Sequence, residues 1–232
     1  MLKQIYEASY QANLEIVQYL DGLKKSDFEY KNVGFGGDFS SGADIECEKI
    51  FEKHLLQYAD IFSEESGFIG SVSTTKIKNA RFIIDPLDGS DNFLSHLPYF
   101  GSSIALEIEG KIVFSMIYNY VSGKVVAKVE DRLITDDRQT NEKIAVFERS
   151  YSYPKMCQKL FDAGIKFRSP GAVALSLANA RYYKFVLFCG NLREFDLAAG
   201  LHINQDLYIY QDEKNLLVSK SKEYFELVKK MF

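Results

Sequence analysis

RFIIDPLDGSDNF, residues 81–93, carries the main sequence signals for the fold and for a functional site. Its first part, RFII, favours a short buried strand that ends abruptly at Asp85. DPLDGS then predicts a turn leaving the carboxyl end of that strand. Pro86 fixes its own φ and biases Asp85 toward extended geometry, so Asp85 and Asp88 are expected on a stiff turn.

Two carboxylates on one tight turn repel each other unless a positive charge lies between them. Oxygen ligands of this kind favour Mg²⁺, Mn²⁺ or Ca²⁺ over thiophilic metals. Gly89 permits close backbone approach, and SDNF at 90–93 favours a short helix whose first N–H groups can bind an anion. This combination suits metal-assisted phosphoryl transfer. DP and DG are also common turn dipeptides, so the spacing of these residues alone is compatible with an ordinary loop that binds no metal.

Working outward from this stretch, apolar periodicity predicts both helices and strands. Helices are expected over 3–20, 44–56, 154–163, 172–181, 195–203 and 221–231. An antiparallel meander is expected over 101–134, and further strands over 184–189, 207–210 and 215–218. KNVGFGGDFSSG at 31–42 is typical of a loop, and Asp44 follows it where a helix N-cap would stand. The pattern predicts an α+β, or mixed α/β, fold with a lobe boundary within 135–150.

Composition limits the classes of function. The 232 residues are 47% hydrophobic, enough for one large domain or two closely joined lobes. A net charge of −4 argues against a nucleic acid polymer as partner. The widely spaced Cys47, Cys157 and Cys189 form no CxxC pair and are expected in the core. No segment resembles a signal peptide or a membrane span, so we expect a cytoplasmic protein with no membrane partner.

Two further acidic segments accompany the central stretch: SEES at 63–66 and FDLAAG at 195–200. In chain order, SEES, DPLDGSDNF and FDLAAG resemble the GEES, DP(I/L)DG(T/S)xNF and WDxAAG motifs of the inositol monophosphatase family. Members of this family are relatives of fructose-1,6-bisphosphatase and of the 3′(2′),5′-bisphosphate nucleotidases. RSPGAVALSLA at 168–178 is similar to the family's RSxGSAAL segment. The resemblance implies a layered αβαβα sandwich, a homodimer, and one catalytic unit built from an N-terminal lobe (1–140) and a C-terminal lobe (141–232).

The resemblance also implies roles for individual residues. The N-terminal lobe would carry most of the ligands for two or three Mg²⁺ ions, and the complete ligand set would be Glu64, Asp85, the Leu87 carbonyl, Asp88 and Asp196. The catalytic residues would be Glu64, Ser90, which orients the attacking water, and its acidic partner Asp44. The phosphate and substrate would contact Gly89, Ser90, Asp88, Gly171, Ala172 and Asp196. The implied reaction is direct attack of a metal-activated water on a small phosphorylated metabolite.

Departures from the family pattern leave the substrate open. Cys189 stands where inositol-specific members carry a Glu that contacts the ring, with Glu194 as a displaced substitute, and HINQDLYIY replaces the family's EAGG. The alternatives are an inositol monophosphate, fructose-1,6-bisphosphate and 3′-phosphoadenosine 5′-phosphate. A second phosphate would need cations, for which the candidates are Arg168, Arg181, Lys184 and Arg193. A binding protein for metal or phosphate is the non-enzymatic alternative, against which the clustered acids speak.

Overall fold

Helix layers and sheets alternate through the protein, in a computed structural model that describes residues 1–70, 77–135 and 140–232. In these ranges the α-helices are α1 (Leu2–Leu20), α2 (Gly42–Leu55), α3 (Ser90–Leu94), α4 (Pro154–Asp162), α5 (Val173–Ala178), α6 (Glu194–Ile203) and α7 (Lys222–Lys229). Single 3₁₀ turns cover Lys25–Phe28, Ser150–Ser152 and Ala180–Tyr182.

The strands of the described residues form three sheets. In chain order they are β1 (Tyr30–Val33), β2 (Phe39–Ser41), β3 (Asp60–Ser63), β4 (Gly67–Ile69), β5 (Ala80–Asp88), β6 (Gly101–Ile108), β7 (Lys111–Asn119), β8 (Lys124–Val129), β9 (Arg132–Ile134), β10 (Ala145–Glu148), β11 (Phe167–Arg168), β12 (Val186–Cys189), β13 (Tyr208–Gln211) and β14 (Asn215–Ser219). A hairpin joins β1 and β2. The seven-stranded sheet has the order β4-β3-β5-β6-β7-β8-β9, and the five-stranded sheet has the order β11-β10-β12-β14-β13.

The layers follow from the alternation of side chains along the strands. In β5, Phe82 and Ile84 pack in the core beneath α1 and α2, whereas Ile83 packs against α5 and α6 on the other face. α5 and α6 also contact the five-stranded sheet, through Leu177 and Leu197. α4 and α7 cover the far face of that sheet. The order is therefore helices, sheet, helices, sheet, helices, which confirms the mixed α/β class and the αβαβα sandwich.

Most predicted elements are present, and the differences lie around the acidic residues. β5 does not stop at Ile84 but continues to Asp88, so the prediction that DPLDGS is a turn was wrong for its first four residues. The predicted loop at 31–42 contains β1 and β2. Ser41 is the N-cap of α2, not Asp44, which occupies the third helical position and completes a capping box.

The predictions about lobes, cysteine burial and membrane spans have different outcomes. The large sheet ends with β9 and the smaller one begins with β10, on either side of residues 136–139, which lie outside the described ranges. The division into lobes over 1–140 and 141–232 stays a prediction. Cys47 and Cys189 are buried as expected, and Cys157 is partly exposed. None of the described helices is both long and apolar enough to cross a bilayer.

The glycine of FDLAAG allows α5 and α6 to pack closely between the two sheets. A Cβ at Gly200 would lie 2.5 Å from Leu177 Cδ1 and 2.6 Å from Leu177 Cβ. The second distance cannot be relieved by a rotamer change, because Cβ is fixed to the α5 backbone. This steric requirement explains the glycine in the motif.

We expect Gly200→Ala to lower the free energy of unfolding by about 1–2 kcal/mol, because overpacking outweighs the gain in helix propensity. Urea unfolding measures the effect as a lower midpoint at an unchanged m-value. Gly22→Ala is the matched control, since its new Cβ would lie 3.7 Å from the closest neighbouring atom. Equal stability of the two variants would contradict the steric explanation.

Candidate metal and phosphate site

A β-bulge brings the two aspartates of DPLD to the same side of the large sheet. Asp85 pairs with Ser103 and Asp88 pairs with Gly101, so three steps along β5 match two steps along β6. In a regular strand, side chains three residues apart point to opposite faces, and the extra residue of the bulge restores the same face for both. Pro86 lies within the bulge, where its missing N–H costs no ladder hydrogen bond.

The carboxylate cluster consists of Glu64, Asp85 and Asp196, and each comes from a different segment. Glu64 follows β3, which runs parallel to β5, so its side chain and Asp85 lie at the carboxyl ends of neighbouring strands. Asp196 lies in the first turn of α6. One carboxylate oxygen from each of the three lies within 4.8 Å of the others. The cluster thus collects three acids that are distant in sequence.

Burial makes the charged form of these acids costly. It raises the pKa of Glu64 to about 8 and that of Asp85 well above its usual range, with neighbouring carboxylates adding to both effects. The pKa of Asp88 is raised to about 8 mainly by burial and then by Asp196. Buried acids that disfavour their own ionisation suit a bound cation, and their hard oxygen donors suit Mg²⁺. The cluster therefore fits the metal that the sequence predicts.

Asp88 belongs to the same cavity but makes a different contact. Its Oδ2 accepts a hydrogen bond from the backbone N–H of Leu175, at 2.9 Å, at the start of α5. It therefore ties β5 to the helix layer between the sheets. Its role as a metal ligand stays a prediction, as do those of Glu64, Asp85, Asp196 and the Leu87 carbonyl.

Arg193 occupies a place in the carboxylate cluster that the sequence did not indicate. Its Nη1 lies 2.5 Å from Glu64 Oε1, and its Nε donates to Asp196 Oδ2 at 2.9 Å. The same Nη1 donates to Asp38 Oδ2 at 2.6 Å. The sequence suggested Arg193 only as one of four cations for a second phosphate, because spacing alone cannot show that it folds back onto the acids.

On the side of the cavity where phosphate binding is predicted, two glycine-containing turns approach each other closely. Gly89 has φ +84°, and a Cβ there would lie 3.0 Å from both Ala172 Cβ and the Tyr99 carbonyl oxygen. Asn92 links the turns by donating to the carbonyls of Tyr99 and Pro170. Gly89, Ser90 and Gly171 all line the cavity beside the cluster. Their contacts with phosphate stay predictions.

Glu148 holds the second of these turns in place, which the sequence did not reveal. This carboxylate is buried at the end of β10 and accepts from the backbone N–H of Gly171 at 2.9 Å and from Ser176 Oγ at 2.5 Å. A buried carboxylate is costly unless its oxygens are hydrogen-bonded, and both oxygens are. Glu148 therefore fixes the 170–172 turn to the five-stranded sheet.

The β1–β2 hairpin closes the site from the other side. The backbone N–H groups of Phe35 and Gly36 donate to the carbonyls of Glu65 and Glu64, at 2.9 Å and 2.8 Å. The Phe35 ring packs on those of Phe62 and Phe195, so the residue that replaces the family's Trp joins an aromatic cluster. The segment that the sequence predicts as a loop thus anchors the SEES segment.

Some predicted participants have other partners. The Asp44 carboxylate accepts from the Ser41 backbone N–H and hydroxyl, both at 2.6 Å, and its assigned partnership with Ser90 stays a prediction. Glu194 pairs with Arg81 at 2.8 Å. Cys189 packs in the outer core beneath α4 and α7. Among the described residues that line the cavity, none is Asp44, Cys189, Glu194, Arg168, Arg181 or Lys184.

The cavity has a volume of about 510 Å³ and an aromatic mouth. Tyr30, Phe39 and Tyr151 line it and are 58%, 66% and 79% exposed. The rings of Tyr30 and Phe39 contact each other across the hairpin, with centroids 5.4 Å apart. This volume is in the usual range for small-molecule sites.

Comparisons with known proteins agree with this architecture. The family model described as the inositol monophosphatase family matches residues 1–206. An inositol-1-monophosphatase of Rhizobium meliloti is 37% identical over 86 residues, 35% of this chain and only 30% of that protein. Nus factor SuhB of Vibrio cholerae is 28% identical over 223 residues, 86% of this chain and 80% of that protein. The crystal structure of the extragenic suppressor protein suhB from Bartonella henselae superposes with a TM-score of 0.77 at 25% identity, covering 98% of both chains.

Gly89 provides a test of how the two turns meet. We expect Gly89→Ala to lower the free energy of unfolding by about 2–4 kcal/mol, since it combines an unfavourable positive φ with new contacts at 3.0 Å. Gly110→Ala is the control, because Gly110 also has a positive φ of +77° but no atom within 4 Å of the new Cβ. We expect it to cost about 1–2 kcal/mol.

The difference between these two costs, measured by urea unfolding, isolates the contact of Gly89 with Ala172 and Tyr99. Equal costs would show that only the backbone conformation requires glycine at position 89.

Proposed function

Because the chain belongs to the inositol monophosphatase family, we propose that it is a Mg²⁺-dependent phosphomonoesterase acting on a small phosphorylated metabolite. The observation that carries the proposal is the carboxylate cluster, whose oxygens lie within 4.8 Å of one another, beside the Gly89–Ala172 contact. A cation site adjacent to a backbone-lined turn is what the transfer of a phosphoryl group to water requires. We also propose that it acts as a cytoplasmic homodimer, without a nucleic acid polymer or membrane as partner.

In this proposal Glu64, Asp85, Asp88, Asp196 and the Leu87 carbonyl hold two or three Mg²⁺ ions. When bound, the ions would lower the pKa of a water and offset the negative charge that develops on the leaving oxygen. Ser90 lies at the first position of α3 and lines the cavity. In this proposal its hydroxyl orients the attacking water.

The remaining residues act on the phosphate. The backbone N–H groups of Gly89 and Ser90 would donate to its oxygens on one side, and the 171–172 turn would close the other side. Glu148 keeps that turn in position through Gly171. The chain's own contribution is therefore the placement of the phosphate against the cluster.

We expect Asp85→Asn and Asp88→Asn each to reduce Mg²⁺-dependent phosphate release at least about a hundred-fold, because a neutral amide neither attracts the ion nor balances its charge. Release is measured as inorganic phosphate with and without Mg²⁺, and removing metal with a chelator should abolish it. Asp21→Asn changes an exposed acid at the C-cap of α1, which is not among the described residues that line the cavity, and should keep activity within about two-fold.

Normal Mg²⁺-dependent activity of Asp88→Asn would refute the ligand assignment. No phosphate release by the unaltered protein from inositol-1-phosphate, fructose-1,6-bisphosphate or 3′-phosphoadenosine 5′-phosphate would favour the non-enzymatic alternative of a metal- or phosphate-binding protein. One relative carries the name Nus factor SuhB, a name that states no phosphatase activity.

The mouth of the cavity favours a nucleotide as the second candidate substrate. The position that would supply a ring-binding Glu is Cys189, which is 2% exposed in the outer core, and Glu194 is paired with Arg81. The hydroxyl groups of a polyol substrate would therefore lack this carboxylate acceptor. Tyr30, Phe39 and Tyr151 instead offer exposed rings on which a planar base can stack.

We expect Phe39→Ala to raise KM for 3′-phosphoadenosine 5′-phosphate about ten-fold, since stacking on an aromatic side chain stabilises a bound base by roughly 1–3 kcal/mol. KM for fructose-1,6-bisphosphate should change less than about two-fold, because that substrate has no base. Steady-state phosphate release measures both constants.

Phe68→Ala is the matched control. Phe68 is 65% exposed, close to the 66% of Phe39, but is not among the described residues that line the cavity. An unchanged nucleotide KM in Phe39→Ala would exclude the aromatic mouth as a base-binding surface.

A further inference from the structure

Arg193 connects three segments that meet at the carboxylate cluster. It is the N-cap residue of α6, and its side chain reaches Asp196 in the first turn of that helix, Glu64 after β3, and Asp38 in the β1–β2 hairpin. Asp196 receives two hydrogen bonds, from Nε at 2.9 Å and Nη2 at 3.2 Å, so the planar fork of the guanidinium is matched to one carboxylate. This geometry is specific and cannot be reproduced by a point charge.

The oxygens that Arg193 contacts include those of two predicted metal ligands. Glu64 and Asp196 are also two of the three members of the cluster whose oxygens lie within 4.8 Å of one another. A Mg²⁺ ion binds oxygens at about 2.0–2.1 Å and requires near-ideal geometry around it. Two positive groups cannot share the same oxygens at such distances without strong repulsion, since little solvent screens the charges in a buried site.

We propose that the Arg193 guanidinium is an internal cation that competes with a divalent ion for Glu64 and Asp196, so that metal binding displaces it from these two carboxylates. In the metal-free protein it neutralises part of the buried negative charge. A guanidinium stays protonated under all conditions in which the protein folds, so this competition does not depend on its titration.

Asp38 gives Arg193 an alternative position once it is displaced. The Asp38 carboxylate is 79% exposed and lies outside the cluster, on the hairpin. Its contact with Nη1, at 2.6 Å, can persist while Nε and Nη2 leave Asp196. The side chain thus has a solvent-facing partner on the hairpin and two buried partners in the site.

The test is calorimetric titration of the metal-free full chain with Mg²⁺ and, for the same site, Mn²⁺. We expect Arg193→Gln to bind the ion about ten-fold more tightly than the unaltered protein, because no side chain has to be displaced. Arg193→Lys keeps the charge but loses the two-nitrogen fork, so its affinity should lie between these two.

Thermal unfolding gives a second measurement that does not depend on turnover. Without metal, Arg193→Gln should have a lower Tm than the unaltered protein, since the buried Glu64 and Asp196 lose their counter-charge. A saturating concentration of Mg²⁺ should raise its Tm by more than it raises that of the unaltered protein, because tighter ligand binding adds more stability.

Arg181→Gln is the matched control. Arg181 also pairs with a carboxylate, that of Asp206, and donates to the Ile203 carbonyl at 3.3 Å, at the opposite end of α6. Its replacement should leave the affinity for Mg²⁺ within about two-fold, although Tm falls. This control separates a general loss of an ion pair on α6 from an effect at the cluster.

The proposal rests on the metal centre proposed above, and the outcomes distinguish the two. Equal or weaker Mg²⁺ binding by Arg193→Gln would overturn the competition and show that Arg193 instead positions the ligands. Absence of binding by the unaltered protein and by all variants would overturn the metal centre itself. A ten-fold gain in affinity without any phosphatase activity would support the competition and leave only the enzymatic function in question.

Discussion

The structure depends on the balance of buried negative charge at the carboxyl ends of β3 and β5. Glu64, Asp85 and Asp196 approach within 4.8 Å of one another, and burial raises the pKa of each. Removing a carboxylate from water is expensive, and placing several together multiplies the cost. A fold that pays this cost must supply cations, and the elements around the cluster are arranged so that a side-chain cation or a metal ion can do so.

The sandwich is what brings these acids together. β3 and β5 are parallel neighbours, so their carboxyl ends coincide, and the bulge at Pro86 turns Asp85 and Asp88 the same way. α6 enters between the two sheets with its first turn at this edge, and Gly200 allows it to pack against α5. The same layer that forms the middle of the core thus positions the third acid, so core packing and site geometry cannot vary independently.

The sequence predicted the parts of the fold that depend on local pattern. The meander at 101–134, the opening helix and the helix carrying Asp196 follow from periodicity, and ordered motifs indicated which acids belong together. What it could not predict depends on contacts between distant segments. Continuation of β5 through Pro86 requires pairing with β6, and the structure of the 31–42 segment requires the backbone of Glu64 and Glu65. Glu148 and Asp38 gain their places through contacts across 23 and 155 residues, and Arg193 reaches the distant Glu64 and Asp38 as well as Asp196 in its own helix.

The cluster also bears on whether such a chain keeps a metal-dependent function. If Glu64, Asp85 and Asp196 served stability alone, apolar or amide side chains would serve better, because buried ion pairs rarely compensate for the loss of hydration. Arg193 shares its one positive charge among Glu64, Asp196 and Asp38, so part of the negative charge is left unbalanced when these acids and Asp85 are ionised. That residual charge is the property a divalent cation requires of a site. The chain therefore carries a cost that a protein without a cation to bind has no physical reason to retain.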